Sequence, residues 1–179
     1  MGGGDESGGL DFLVLTCSFT RCTVSLTSKI NAMSEKNLQE ENKELIRRYF
    51  IAIDEEGKKA NANMLEEFLS EDFVEHNPFP GLPPNRDGWK QAFIMFAEAA
   101  PGYHVIDDLI AEGDKVVGRI TAYGKHTGNL FGIPATNKDF SMVGIAIWRI
   151  ADGKIIEHWN QTDQVGMMMQ LGVMPSPSH

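Results

Sequence analysis

The feature that most constrains this chain is a change of hydrophobic period at Tyr103. Upstream, apolar residues recur at helical spacing: Leu45, Tyr49, Phe50 and Ile53 in one segment, then Trp89, Phe93 and Phe96 at i, i+4 and i+7 in another. From Tyr103 onward the period is two, that of a strand whose alternate side chains face opposite sides of a sheet. Helices gathered at the front and strands at the back point to an α+β class, with about three N-terminal helices packed on one face of a curved antiparallel sheet.

The punctuation fits this division. Ser34 is placed to cap the first helix, and Gly57 stops it. A second helix is expected near residues 63–70, with Met64, Leu65 and Phe68 on one side. An extended segment over 72–76 precedes the Pro/Gly cluster at 78–84. The third helix spans 86–99 and ends at Pro101-Gly102. Strands over 103–111 and 115–123 join at Glu112-Gly113-Asp114, and strands over 140–150 and 154–162 join at Ala151-Asp152-Gly153. Both junctions are hairpin signals in which Gly supplies positive φ. A Gly-rich connection, 124–137, links the hairpins. A sheet bent around such helices encloses a cavity.

Residues 1–32 read differently: a Gly-rich acidic opening, then many Ser and Thr with no helical period. A secretory signal needs a basic start, which Asp5, Glu6 and Asp11 deny, and Arg21 interrupts the apolar run. The expectation is an extension, disordered or non-native, ahead of a start at Met33. A targeting peptide and a true structural segment are the alternatives, and the domain is taken as 33–179.

Composition narrows the function. With 16 Lys+Arg against 25 Asp+Glu the net charge is -9, a sign that repels phosphate backbones and argues against nucleic acid. No apolar run reaches the roughly 18 residues that span a bilayer, so no membrane partner is expected. Both cysteines, Cys17 and Cys22, precede Met33. A disulfide, a thiolate metal site and a cysteine nucleophile are thereby excluded from the domain, which suits a reducing, cytoplasmic setting. His76, His126 and His158 lack metal-ligand spacing, so no metal is expected. There is no Gly-x-Gly-x-x-Gly, phosphate-binding loop or Gly-x-Ser-x-Gly elbow.

Several segments, in this order, carry a family resemblance. They are Phe73-Val74-Glu75-His76-Asn77 before the Pro/Gly loop, Leu109-Ile110-Ala111-Glu112-Gly113-Asp114-Lys115-Val116-Val117, the run His126-Thr127-Gly128-Asn129-Leu130-Phe131-Gly132-Ile133-Pro134-Ala135-Thr136, and Asp152-Gly153-Lys154-Ile155-Ile156-Glu157-His158-Trp159 with Asp163. Together they resemble the SnoaL-like polyketide cyclases, within the wider fold group named after nuclear transport factor 2. The likeness covers nearly everything from Leu38 to Val173. It implies a cone-shaped, dimeric, cofactor-free protein with a mostly apolar pocket. In the founding members an aspartate near the end of the last strand closes a polyketide ring by intramolecular aldol condensation, and Asp163 is the matching residue. Lys125 departs from the family, whose members often carry a small polar residue there.

Asp163 has two readings. Inside an apolar pocket a carboxylate gains basicity and can take a proton from carbon; alternatively it caps a short helix over 164–171. On a regular last strand Ile155, Glu157, Trp159, Gln161 and Asp163 share one face, and Ile156, His158, Asn160 and Thr162 the other. His158 therefore points away from Asp163 unless a bulge intervenes. His126 either reaches the cavity mouth or fixes the Gly-rich loop. His76 with Asn77 either holds a ligand carbonyl or ties down backbone. Trp89, Phe93 and Trp159 are candidate ligand-binding aromatics. Met167, Met168 and Met169 form a plug or a lid.

The leading expectation is a cofactor-independent enzyme acting on a small hydrophobic carbonyl compound by aldol-type cyclisation, isomerisation, or hydration or dehydration. Asp163 is its acid/base, and His126 or His76 binds the oxyanion. The rivals are a non-catalytic ligand carrier or dimerisation module, and an epoxide-opening hydrolase using Arg119 or Arg149. The weakly charged strand around Gly144, Ala146 and Trp148 predicts a homodimer through the sheet.

Overall fold

The computed structural model describes the backbone of residues 19–175 and side chains from Met33 to Pro175. The chain divides into two compact units, Met1–Lys36 and Asn37–His179. In the first, the backbone is helical from Phe19, the start of α1 (Phe19–Gly57). The helix therefore does not begin at a Ser34 cap. Most of what is expected of residues 1–32 lies outside the described residues.

In the second unit, α1 is followed by a 3-10 turn (Ala62–Met64), a one-turn α2 (Leu65–Phe68), and β1 (Leu69–Glu75). Asn61 caps the turn by accepting from the Asn63 N–H. Next come α3 (Arg86–Ala99), whose Asn85 cap accepts from the Gly88 N–H, then β2 (Gly102–Glu112) and β3 (Lys115–Lys125). The chain continues through β4 (Asp139–Ala151), β5 (Lys154–Thr162) and α4 (Gln164–Leu171). At the β4–β5 turn both Asp152 (φ 50°) and Gly153 (φ 70°) are left-handed, the tight turn whose twist matches paired strands.

The sheet has five strands in the order β1-β5-β4-β3-β2. The expected four-stranded antiparallel sheet is thus extended by β1, which runs parallel to β5 and makes the sheet mixed. An extra residue bends the sheet at each of two places, between Ile106 and Asp108 on β2 and opposite Arg149 and Ile150 on β5.

One face of this bent sheet is covered. Leu45, Ile46 and Tyr49 of α1 pack with Leu65, Phe68, Phe73, Val116, Trp148 and Ile155 into a buried core. A second cluster joins Ala99, Leu130 and Phe140 to Met167 and Leu171 of α4. Glycine makes room for the largest inward ring: a Cβ on Gly118 would stand 2.9 Å from the Trp148 indole. Among the described residues, no helix is long and apolar enough to cross a membrane.

Candidate active site

Between α1, α3 and the inner face of the sheet lies a cavity of about 250 Å³. Its walls are largely aromatic and small: Phe50 from α1, Trp89, Phe93 and Phe96 from α3, Gly144, Ala146 and Trp148 from β4. Of the three candidate ligand-binding aromatics, Trp89 and Phe93 line the cavity and Trp159 does not.

The cavity opens onto the opposite face of β5 from the one carrying Asp163. His158, Asn160 and Thr162 line it; Glu157, Trp159, Gln161 and Asp163 do not. Register explains the reversal. Arg149 pairs with Glu157 but Ile150 with Ile155, leaving Ile156 as the extra residue. Ile155 therefore turns inward and is buried together with His158.

Asp163 is exposed and serves as the N-cap of α4. Its side chain accepts from the Gly166 N–H at 2.8 Å. Of the two readings of His126, the structure shows the one that fixes the loop: it is fully buried inside the Gly-rich connection. Its Nδ1 lies 3.1 Å from the Thr136 hydroxyl and accepts from the Thr136 N–H, while its backbone clasps Asn137 and Lys138. His76 stacks flat on Trp159, rings 4.3 Å apart, with Nε2 2.8 Å from Glu157; neither ring lines the cavity. Asn77 also stays outside the lining. It braces the site from behind, its amide oxygen accepting from the Asn160 N–H at 3.1 Å.

The chemistry-bearing pair in the wall is Glu75 with His158. They are direct cross-strand neighbours at the β1–β5 junction, 2% and 4% exposed, with Nδ1 2.6 Å from Oε2. The other oxygen of Glu75 accepts from the Asn77 N–H at 2.9 Å and the Asn160 side-chain amide at 3.3 Å. Donors on both oxygens suit an acceptor-only carboxylate, which makes His158 Nδ1 the donor and leaves Nε2 as the lone-pair nitrogen. Nε2 has no hydrogen-bond partner among the described residues. The ring is wedged between Trp148, stacked at 5.5 Å, and Trp89, edge-on at 4.9 Å.

Tyr49 supplies a donor in the same wall. Its hydroxyl accepts from the Trp89 indole N–H at 2.8 Å, and burial pushes its pKa well above the ordinary tyrosine value. It stays an O–H at any working pH, and its remaining proton is available to a ligand oxygen.

Neither arginine considered for epoxide opening reaches the cavity: Arg119 pairs with Asp107 and Asp108, and Arg149 with Glu157 and Asp114. No cluster of three or more metal-ligating side chains occurs among the described residues. Glu75, Tyr49 and His104 were missed as site residues. Strand alternation carried a signal for His104 alone, which shares the inward face with Ile106.

Comparison with known proteins agrees with this architecture. The model of the SnoaL-like polyketide cyclase family matches residues 45–171. The chain is 34% identical over 111 residues to aklanonic acid methyl ester cyclase DauD of Streptomyces sp. (strain C5), covering 61% of this chain and 67% of that protein. It is 40% identical over 85 residues to nogalonic acid methyl ester cyclase of Streptomyces nogalater, covering 48% of this chain and 60% of the relative. Among solved structures it resembles TsrD from Streptomyces laurentii (TM-score 0.67, 29% identity, 76% of this chain and 98% of that one). It also resembles IdmH from Streptomyces antibioticus (TM-score 0.63, 29% identity, 73% and 98%). The family match spans most of the chain and coincides with the walls of the cavity, and the chain belongs to the SnoaL-like polyketide cyclase family.

Proposed function

We propose that the protein closes a ring in a polycyclic polyketide ester by intramolecular aldol addition, with His158 rather than Asp163 as its acid/base. The carrying observation is the Glu75–His158 pair in an aromatic wall, with Nε2 unpartnered. Nε2 takes the proton from the carbon next to a carbonyl, and Glu75 steadies the imidazolium that forms. The Tyr49 hydroxyl donates to the enolate oxygen, in surroundings where few other dipoles compete. The enolate carbon adds to a second carbonyl of the same molecule, a carbon–carbon bond forms, and the imidazolium returns its proton to the new alkoxide. No electrons are gained or lost overall, and the chemistry balances with no cofactor.

The test is turnover of aklanonic acid methyl ester, the compound named in relatives, by the wild type and by Asp163→Asn. Asparagine caps helices as well as aspartate does, so this variant keeps the fold. It is expected to retain kcat within about threefold, the variation expected without loss of a general base. A fall of two orders of magnitude would restore Asp163 as the base. Recovery of the ester unchanged from wild-type protein that binds it would make the chain a carrier.

We also assign a homodimer to the outer sheet face, where Val143 and Ile145 are 44% and 54% exposed beside Val117 and Val105. Exposed apolar side chains on a strand face, here grouped around the Arg119 ion pairs, are what a self-complementary contact covers. Val143→Lys is expected to move the protein from dimer to monomer in sizing chromatography with light scattering. A wild type that elutes as a monomer removes the assignment.

A further inference from the structure

The same cavity holds a second histidine–carboxylate pair that the ring-closing scheme leaves unused. His104 on β2 and Asp54 on α1 both line it, at the end where Lys58, Gly102 and Tyr103 also contribute. Asp54 grips His104 twice: one carboxylate oxygen is 2.7 Å from Nδ1, and the other accepts the His104 backbone N–H at 3.0 Å. The grip fixes the ring's orientation and leaves Nε2 with no partner among the described residues. Lys58, in the turn just past the end of α1, is exposed and makes no ion pair among the described residues.

This pair is remote from His158. β4 and β3 lie between β5 and β2 in the sheet. Inside the cavity the Phe50 ring is 5.3 Å from His104 and 5.8 Å from the Trp148 ring, which in turn stacks on His158. With two aromatic rings intervening, the two imidazoles cannot serve one reacting carbon. They can, however, meet the two ends of one long, flat molecule lying along those rings.

We propose that His104, positioned by Asp54 and assisted by Lys58, is a specificity anchor for an acidic group, a carboxylate or ionised phenol, at the end of the substrate distal to ring closure. This deepens the polyketide reading by setting the substrate's length and the charge of its far end. A ligand carboxylate or phenolate at Nε2 completes an imidazolium held between two anionic oxygens, and the unpaired Lys58 ammonium, which lines the same end of the cavity, balances the second negative charge. The aromatic floor between the two histidines favours fused rings over a flexible chain.

The experiment uses anthraquinone and anthraquinone-2-carboxylate as probes, with binding read by quenching of tryptophan fluorescence, since Trp89 and Trp148 line the cavity. The wild type is expected to prefer the carboxylate by about tenfold, in the range of a charge-assisted hydrogen bond. Lys58→Met and His104→Phe should each erase most of that preference. Lys58 is exposed, so its variant tests the idea even where His104→Phe disturbs packing. A wild type without preference, a preference surviving both substitutions, or no binding of either probe would overturn the anchor. These outcomes are separable from the ring-closing reading, which stands or falls on ester turnover by wild type and His158 variants rather than on probe binding.

Discussion

His158→Gln is expected to lower kcat on aklanonic acid methyl ester by about 10²–10⁴-fold, the span that a positioned general base contributes. Glutamine approximates the reach of the imidazole to Nε2, but it cannot accept and return a proton. Ground-state contacts come from the aromatic wall, so KM should stay within a few-fold, and the deficit belongs to the transition state. The pH–rate profile supplies the second readout: the limb that reports ionisation of the base in the wild type should vanish in the variant. A variant with wild-type kcat would remove His158 from the chemistry and leave the cavity as a container.

Glu75→Ala is expected to cost on the order of 3 kcal/mol of folding stability, because a buried hydrogen-bonded carboxylate is removed from three partners at once. His158 Nδ1 loses its acceptor in a buried space, and the Asn77 N–H and the Asn160 amide lose theirs in part-buried ones. Urea titration followed by far-UV circular dichroism measures the loss. Glu75→Gln separates the two roles of this side chain. Its amide oxygen still accepts from Asn77, so stability recovers in part. It no longer enforces the proton on Nδ1, and comparable amide replacements at a carboxylate-held imidazole reduce kcat by up to about 10⁴-fold. A Glu75→Gln enzyme of full activity would mean that the imidazole needs no carboxylate behind it.

The helices and hairpins were legible in the sequence because each is a local pattern. The spacing of Trp89, Phe93 and Phe96 lies within one element, as do the turns at Gly113 and Asp152-Gly153, and α3 has the very bounds expected. The inward side of β5 was not legible. Strict alternation from Ile155 puts His158 outside, yet one extra residue at Ile156 brings both Ile155 and His158 inward. A bulge is settled by the partner strand and leaves no mark in the sequence of its own strand.

β1 was equally hidden in its role. Its extended character was readable, but its pairing joins residues 83 apart in sequence, and no local period encodes such a contact. Glu75 therefore read as one letter of a motif rather than as the partner of His158. His126 shows the converse. A polar residue in a Gly-rich stretch invites a functional reading, whereas its Nδ1 holds that stretch to Thr136 and its buried Nε2 has no partner among the described residues.

The parallel seam between β1 and β5 has a kinetic consequence. Every other junction of the sheet joins consecutive antiparallel strands, two of them through short hairpins, and such local pairings close quickly. The seam must wait for the rest of the chain to come into place, since it closes the longest loop in the sheet. The acid/base pair is itself a rung of that seam, with Glu75 facing His158. A molecule whose edge strand has not yet docked, or has frayed away, keeps most of its sheet signal while lacking any catalytic dyad. Recovery of turnover during refolding thus marks the last step of assembly, later than the recovery of secondary structure.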